Sequence, residues 1–176
     1  MAPRKRKARA VRKTILIVTE GHVEYAFLSL LKEYYSVKEY KINLDNRRGG
    51  GPEIIINHAI NEKLSHACVT VFLDGDVKIP DAVLRRAKNE KIDIIINTPC
   101  IESTLLRILE QPCYDTTPQC KGKFEEVAGT KKTTSKEVHR RLFPKEIIES
   151  KKAGVNELEK IVNIISGNIG KNQGSS

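Results

Sequence analysis

An α/β fold with a mostly parallel, doubly wound sheet is predicted by two observations. Ile15-Leu16-Ile17-Val18 and Val69-Thr70-Val71-Phe72-Leu73 are short, nearly continuous apolar runs rich in β-branched residues. That is the pattern of strands buried on both faces of a parallel sheet. Between such runs, apolar residues recur at helical spacing, so the order reads β-α-β-α-β-α-β-α, which implies right-handed crossovers. About four strands are expected, with helices on both faces and further helices at the C-terminal end.

The first strand covers about Thr14–Thr19 and leaves through Glu20-Gly21. A helix from His22 to Tyr35 follows, with Val23, Phe27, Leu30, Leu31 and Tyr34 on one face. The second strand alternates, Tyr40, Ile42 and Leu44 against Lys41 and Asn43, as in a more exposed strand. Asn46-Arg47-Arg48-Gly49-Gly50-Gly51 is a loop, and Pro52 suits the first turn of a helix over Glu53–Leu64. The third strand is Cys68–Leu73, turning at Asp74-Gly75-Asp76; a helix runs from Pro80 to Asn89. The fourth strand, Ile92–Ile96, leads through Asn97-Thr98-Pro99-Cys100 into a helix over Ile101–Glu110. Pro99 restricts Thr98 to extended geometry. Gln111–Ser135, with two Pro, two Gly and two Cys, reads as a long loop or an insertion. Two helices, about Ser135–Lys151 and Val155–Ile165, are expected to pack on the same domain, with Gly167–Ser176 frayed.

The net charge is +9, and Met1 to Lys13 hold seven Lys or Arg and no acid, leaving +2 for the rest. Arg4, Lys5, Arg6 and Lys7 open a basic arm with no apolar face to bury, expected to be disordered in isolation. Such an arm fits nucleic acid, whose binding releases counterions; a solubilising tail is the plainer reading. The four cysteines form no C-x-x-C pair. Cys68 and Cys100 read as small buried thiols, while Cys113 and Cys120 have the choice of bridging a loop, joining His139 around zinc, or neither. No signal peptide or membrane-length apolar run is seen, so a reducing, cytoplasmic setting is expected.

The acids carry the chemistry. Glu20, Asp74 and Asp76 each end a strongly apolar strand, and neighbouring strands of an open α/β sheet share one crevice at their carboxyl ends. Like charges about 4 Å apart cost roughly 4 kcal/mol per pair near a surface, and a divalent cation removes that cost. Oxygen donors without His favour Mg2+ or Mn2+ over zinc. The competing reading is a pair of ordinary Asp/Gly turns. Glu24 falls in the first turn of its helix, as second-metal ligand or as a plain helix-start acid, and Glu102 is similarly placed after the fourth strand. Arg47 and Arg48, beside three glycines, form a basic loop on the same edge if the second strand is parallel, able to cradle phosphate through backbone N–H groups. His22 reads as solvated, and His58 and His66 as surface residues without acidic partners. A lysine of Lys131-Lys132-Thr133-Thr134-Ser135-Lys136 is a candidate to neutralise phosphate charge, against a plain solvated segment.

Leu16-Ile17-Val18-Thr19-Glu20-Gly21 with Glu24, then Phe72-Leu73-Asp74-Gly75-Asp76, resembles the TOPRIM domain of topoisomerases, primases and several nucleases. Asn97-Thr98-Pro99-Cys100-Ile101-Glu102 with Leu105-Leu106 is similar to the RloB-like branch and the overcoming-lysogenisation-defect-type nucleases, though Ser103-Thr104 stands where many RloB-like sequences are aromatic-rich. The resemblance covers about Ile15–Leu109. It implies metal ligation by Glu20, Asp74 and Asp76, with Glu24 and Glu102 for a second ion, and a catalytic lysine assigned to Lys132. It further implies a Mg2+-dependent nuclease in bacterial defence or nucleic-acid processing. The alternative is a non-catalytic nucleic-acid-binding subunit of a complex with an ATPase partner. A third possibility, a phosphatase-like enzyme with Asp74 as nucleophile, predicts a trappable aspartyl-phosphate.

Overall fold

The computed structural model describes residues 12–169. Four strands, β1 (Lys13–Thr19), β2 (Tyr40–Asn46), β3 (Cys68–Asp74) and β4 (Asp93–Asn97), form one sheet in the order β2-β1-β3-β4. Every pairing is parallel. Connecting the strands are α1 (His22–Tyr35), α2 (Gly51–Glu62) and α3 (Asp81–Asn89); α4 (Ile101–Ile108), α5 (Thr117–Ala128), α6 (Lys136–Leu142), α7 (Lys145–Lys151) and α8 (Asn156–Ile165) follow.

Strand alternation divides the core in two. Leu16 and Val18 of β1, with Val69, Val71 and Leu73 of β3, pack against Ile55, Ile56 and Ala59 of α2 and Val83 and Ala87 of α3. Ile15, Ile17, Phe72 and Ile95 face the other way, onto α1, α4 and the C-terminal helices. Both central strands are thus covered on both faces, as their continuous apolar composition requires.

Gln111–Ser135 is not a long loop: α5 occupies most of it. Thr116 precedes the helix, Pro118 sits in its first turn, and Gly129 ends it at φ 65°. Cys120, Phe124 and Ala128 repeat every fourth residue and are buried. The helix expected over Ser135–Lys151 is two, α6 and α7, parted at Phe143-Pro144 because proline lacks the N–H that a continuous helix needs. Phe143 is fully buried, with its ring 5.3 Å from Phe27 in an edge-on contact and 6.4 Å from Phe124. His139, also fully buried, stands among these three rings and meets the Thr133 carbonyl through Nε2 at 2.8 Å. All four cysteines are free, so the bridge is not formed; Cys120 donates to the Tyr114 carbonyl, and His139 Nε2 is occupied by the Thr133 carbonyl.

His58 departs from expectation: its Nε2 lies 2.7 Å from Asp45 Oδ2, so it is a half-buried partner of an acid. His66 is half-buried as well, between the Glu62 carbonyl and Asn43. No helix among the described residues is long and apolar enough to cross a membrane.

Candidate metal centre

The carboxyl ends of β1, β3 and β4 bring five acids to one cavity of about 330 Å³, lined by Glu20, Glu24, Asp74, Asp76 and Glu102 together with Lys121. Glu20 follows β1 directly. Gly21 then gives extended backbone before α1, and its carbonyl accepts the Tyr25 N–H. A Cβ on Gly21 would lie 2.6 Å from Glu24 Oε2, so glycine leaves room for that carboxylate to fold back toward β1. Glu24 is only 4% exposed.

Asp74 ends β3 opposite Asn97 of β4. Its Oδ1 accepts the N–H of Ile101, first residue of α4, at 2.8 Å. That bond and the helix terminus favour the carboxylate. Burial and the neighbouring acids win nonetheless: desolvation, then the charge of Glu24, push the Asp74 carboxyl up to about 8. Glu24 is pushed up to about 7, by burial first and then by Glu102 and Glu20. Glu20 is raised by burial and by Asp76, while Lys121 opposes. Asp76 stands exposed at the mouth, accepting the Thr117 hydroxyl at 3.0 Å.

Glu102, in the first turn of α4, is 4% exposed, and its Oε2 has no hydrogen-bond partner. A buried carboxylate oxygen without a strong donor is costly; the thiol of Cys100, whose pKa the Glu102 carboxyl raises, is a weak donor beside it. Beneath it, fully buried Asn97 donates to the Leu73 carbonyl at 3.0 Å and accepts the Thr104 hydroxyl at 2.9 Å. Arg107 donates to that hydroxyl and pairs with Glu157 of α8 at 3.0 Å, so the floor is braced from β3 to α8. Burial, then Glu102 and Asp74, push the Cys100 thiol strongly up, which removes it as a nucleophile near neutrality.

The five acids share a cavity without closing into a cage. Among the described residues, no group of three His, Cys, Asp or Glu is arranged as a ready-made metal site.

The other sequence candidates divide. Because β2 is parallel, Arg47 and Arg48 lie on the same edge as Glu20. The Arg47 N–H donates to the Thr19 carbonyl and the Gly49 N–H to the Glu20 carbonyl, both at 3.0 Å. Both arginines are exposed and neither lines the acidic cavity. Lys132 is exposed in the turn between α5 and α6, also away from the cavity lining. The lysine that the fold delivers is Lys121, one turn along α5 from Thr117. Its signal lay in the Thr-Thr-Pro helix start and the four-residue repeat of Cys120, Phe124 and Ala128. Arg4, Lys5, Arg6 and Lys7 lie outside the described residues.

No family model, curated protein or solved structure matches the chain.

Proposed function

We propose that the chain is a Mg2+- or Mn2+-dependent nuclease of TOPRIM type, cleaving phosphodiester bonds of DNA or RNA in the cytoplasm. The observation that carries this reading is the unpartnered Glu102 Oε2, buried beside Asp74 and Glu24, whose carboxyls are raised by burial and mutual repulsion. The chemistry of the lining suits a hard divalent cation, around which the acids would have to close: several oxygen donors, with no His, Cys or Met lining the cavity apart from His22. Asp74, Glu24 and Glu102 would hold it from the floor, with Glu20 and Asp76 at the opening. Bound there, the cation supplies Lewis-acid stabilisation of phosphoryl oxygens and a water of lowered pKa.

The chain's own groups supply the rest. The Ile101 N–H fixes Asp74, and Thr117 holds Asp76. Glu20, half-buried, has its carboxyl raised by burial and by Asp76 while Lys121 opposes, and it stands at the opening where a proton would be exchanged. Lys121 is the cation on the lining, suited to balancing charge that develops on a phosphoryl group.

Labelled single-stranded DNA, duplex DNA and tRNA incubated with Mg2+ or Mn2+ provide the test. Cleavage is expected, with a loss of about a hundredfold or more in Glu20→Ala and Asp74→Ala while binding in EDTA persists. Binding without cleavage under either ion would return the chain to a non-catalytic module. In the same assay Lys121→Ala is expected to lower the rate about a hundredfold, and Lys132→Ala to leave it within about twofold; the reverse order would restore Lys132 as the cation at the phosphate.

A further inference from the structure

A chain of open depressions leads away from the acidic cavity along the exposed side of α1. His22, on the rim of that cavity, also borders a depression of about 380 Å³ with Tyr25, Ser29 and Lys136. Tyr25 and Ser29 in turn border a larger one of about 540 Å³, which continues through Lys32 and Ser36 to Asn43 on β2. Lys32, Ser36 and Asn43 pass into a third, about 330 Å³, completed by Arg12, Lys38 and Lys41. His22, Tyr25, Ser29 and Lys32 are spaced three or four residues apart, so they form one stripe of α1, which Ser36 caps. Over the helix's 14 residues the stripe is about 21 Å long.

The chemistry of the stripe is that of a polyanion site with an aromatic platform. Arg12, Lys32, Lys38 and Lys41 make no salt bridge among the described residues. Glu33 is the one acid lining the three depressions, and it is held by Lys136 and Arg140. Tyr25 is 40% exposed, large for an aromatic side chain, and shares a depression with His22, which lines the acidic cavity. Exposed aromatic rings interleaved with cations are how proteins hold unpaired bases, which have a free face to stack; paired bases do not. Among the described residues β2 ends the sheet, and no strand pairs with its outer edge. Lys41 on β2 and Lys38 just before it disfavour strand addition and favour an anionic occupant.

We infer that this face of α1, with the outer edge of β2, is a track for a single-stranded nucleic acid that leads into the acidic cavity past Tyr25. The inference rests on the nucleic-acid part of the proposed function and names the strand's route.

The test is equilibrium binding of labelled single-stranded and duplex oligonucleotides to the full chain in EDTA, where cleavage plays no part. Every variant keeps residues 1–11, so the arm contributes equally. Lys32→Ala/Lys38→Ala/Lys41→Ala is expected to weaken single-strand binding at least tenfold and to flatten the slope of log affinity against log salt by about 2. Tyr25→Ala is expected to weaken it about tenfold, and ultraviolet cross-linking of a 5-iodouracil oligonucleotide should label the α1 peptide containing Tyr25. Unchanged affinities, cross-links confined to other segments, or equally tight duplex binding through the same lysines would overturn the inference. So would self-association in sedimentation that is altered by these substitutions while nucleic-acid binding is not, which would make the β2 edge a contact between copies. Binding along the track without hydrolysis under any divalent ion would sink the enzymatic reading and leave the track standing; hydrolysis with unaltered affinity in these variants would do the opposite.

Discussion

Replacing Asp74 with asparagine is expected to stabilise the metal-free protein at pH 9 while abolishing the magnesium binding proposed above. The native Asp74 carboxyl is pushed up to about 8, whereas an unfolded aspartate titrates near 3.9. Between those values the native state holds a proton that the unfolded state lacks, so stability falls as pH rises. The contribution is complete below about pH 4 and is lost as pH passes about 8. Asparagine imitates the protonated form and keeps an Oδ1 for the Ile101 N–H. Each pH unit of separation corresponds to about 1.4 kcal/mol; local rearrangement recovers part of it, leaving an expected gain of about 2–4 kcal/mol at pH 9 that fades toward pH 4. Urea unfolding in EDTA at several pH values measures this. Titration calorimetry with Mg2+ should show strong pH-dependent binding in the parent, since the ion displaces protons from Asp74 and Glu24, and none in Asp74→Asn. A variant less stable than the parent at pH 9 would mean that the carboxylate is held by favourable contacts rather than crowded by like charges.

Gly75→Ala is expected to damage the same site from behind. The Gly75 N–H donates to both the Asn97 carbonyl at 2.8 Å and the Pro99 carbonyl at 2.9 Å, fastening the end of β3 to the end of β4 and the turn that follows it. A Cβ there would lie 3.0 Å from Ile96 Cγ2, 3.0 Å from Thr98 Oγ1 and 3.2 Å from the Asn97 carbonyl oxygen. The Asn97 oxygen belongs to the backbone and cannot swing aside, so the two strand ends must separate. The expected cost is about 1–3 kcal/mol, read as a fall of about 2–4 °C in Tm per kcal/mol for a chain of this size. Because Asp74 and Asp76 flank the glycine, magnesium affinity should fall along with stability. An unchanged Tm would show that the β3–β4 junction has more slack than these distances indicate.

The sheet and its first helices were legible because each depends on local pattern. Ile15-Leu16-Ile17-Val18 has no polar face to present to water, and the spacing from Val23 to Tyr34 gave α1 its observed limits of His22–Tyr35. The grouping of Glu20, Asp74 and Asp76 was legible because parallel strands deliver their ends to one edge. Glu24 and Glu102 were ambiguous because an acid in the first turn of a helix looks the same whether it meets solvent or a cavity; both are buried. Lys121 was missed, although the helix start and the four-residue repeat that carry it are in the sequence. Its place depends on how α5 docks, and α5 itself was hidden among prolines, glycines and threonines that punctuate loops more often than they build helices.

Phe143 gives the C-terminal third of the chain a standing that its position would not suggest. Its ring is seated between those of Phe27, from the first helix, and Phe124, from the fifth, while Leu158, Ile161 and Ile165 close the same layer. Severed after Glu110, the chain would leave Phe27, Leu30, Leu31 and Leu105 bare to water along one entire side. The sheet unit is therefore covered on one face by the helices that follow it, and a chain cut after Glu110 is expected to lose that cover.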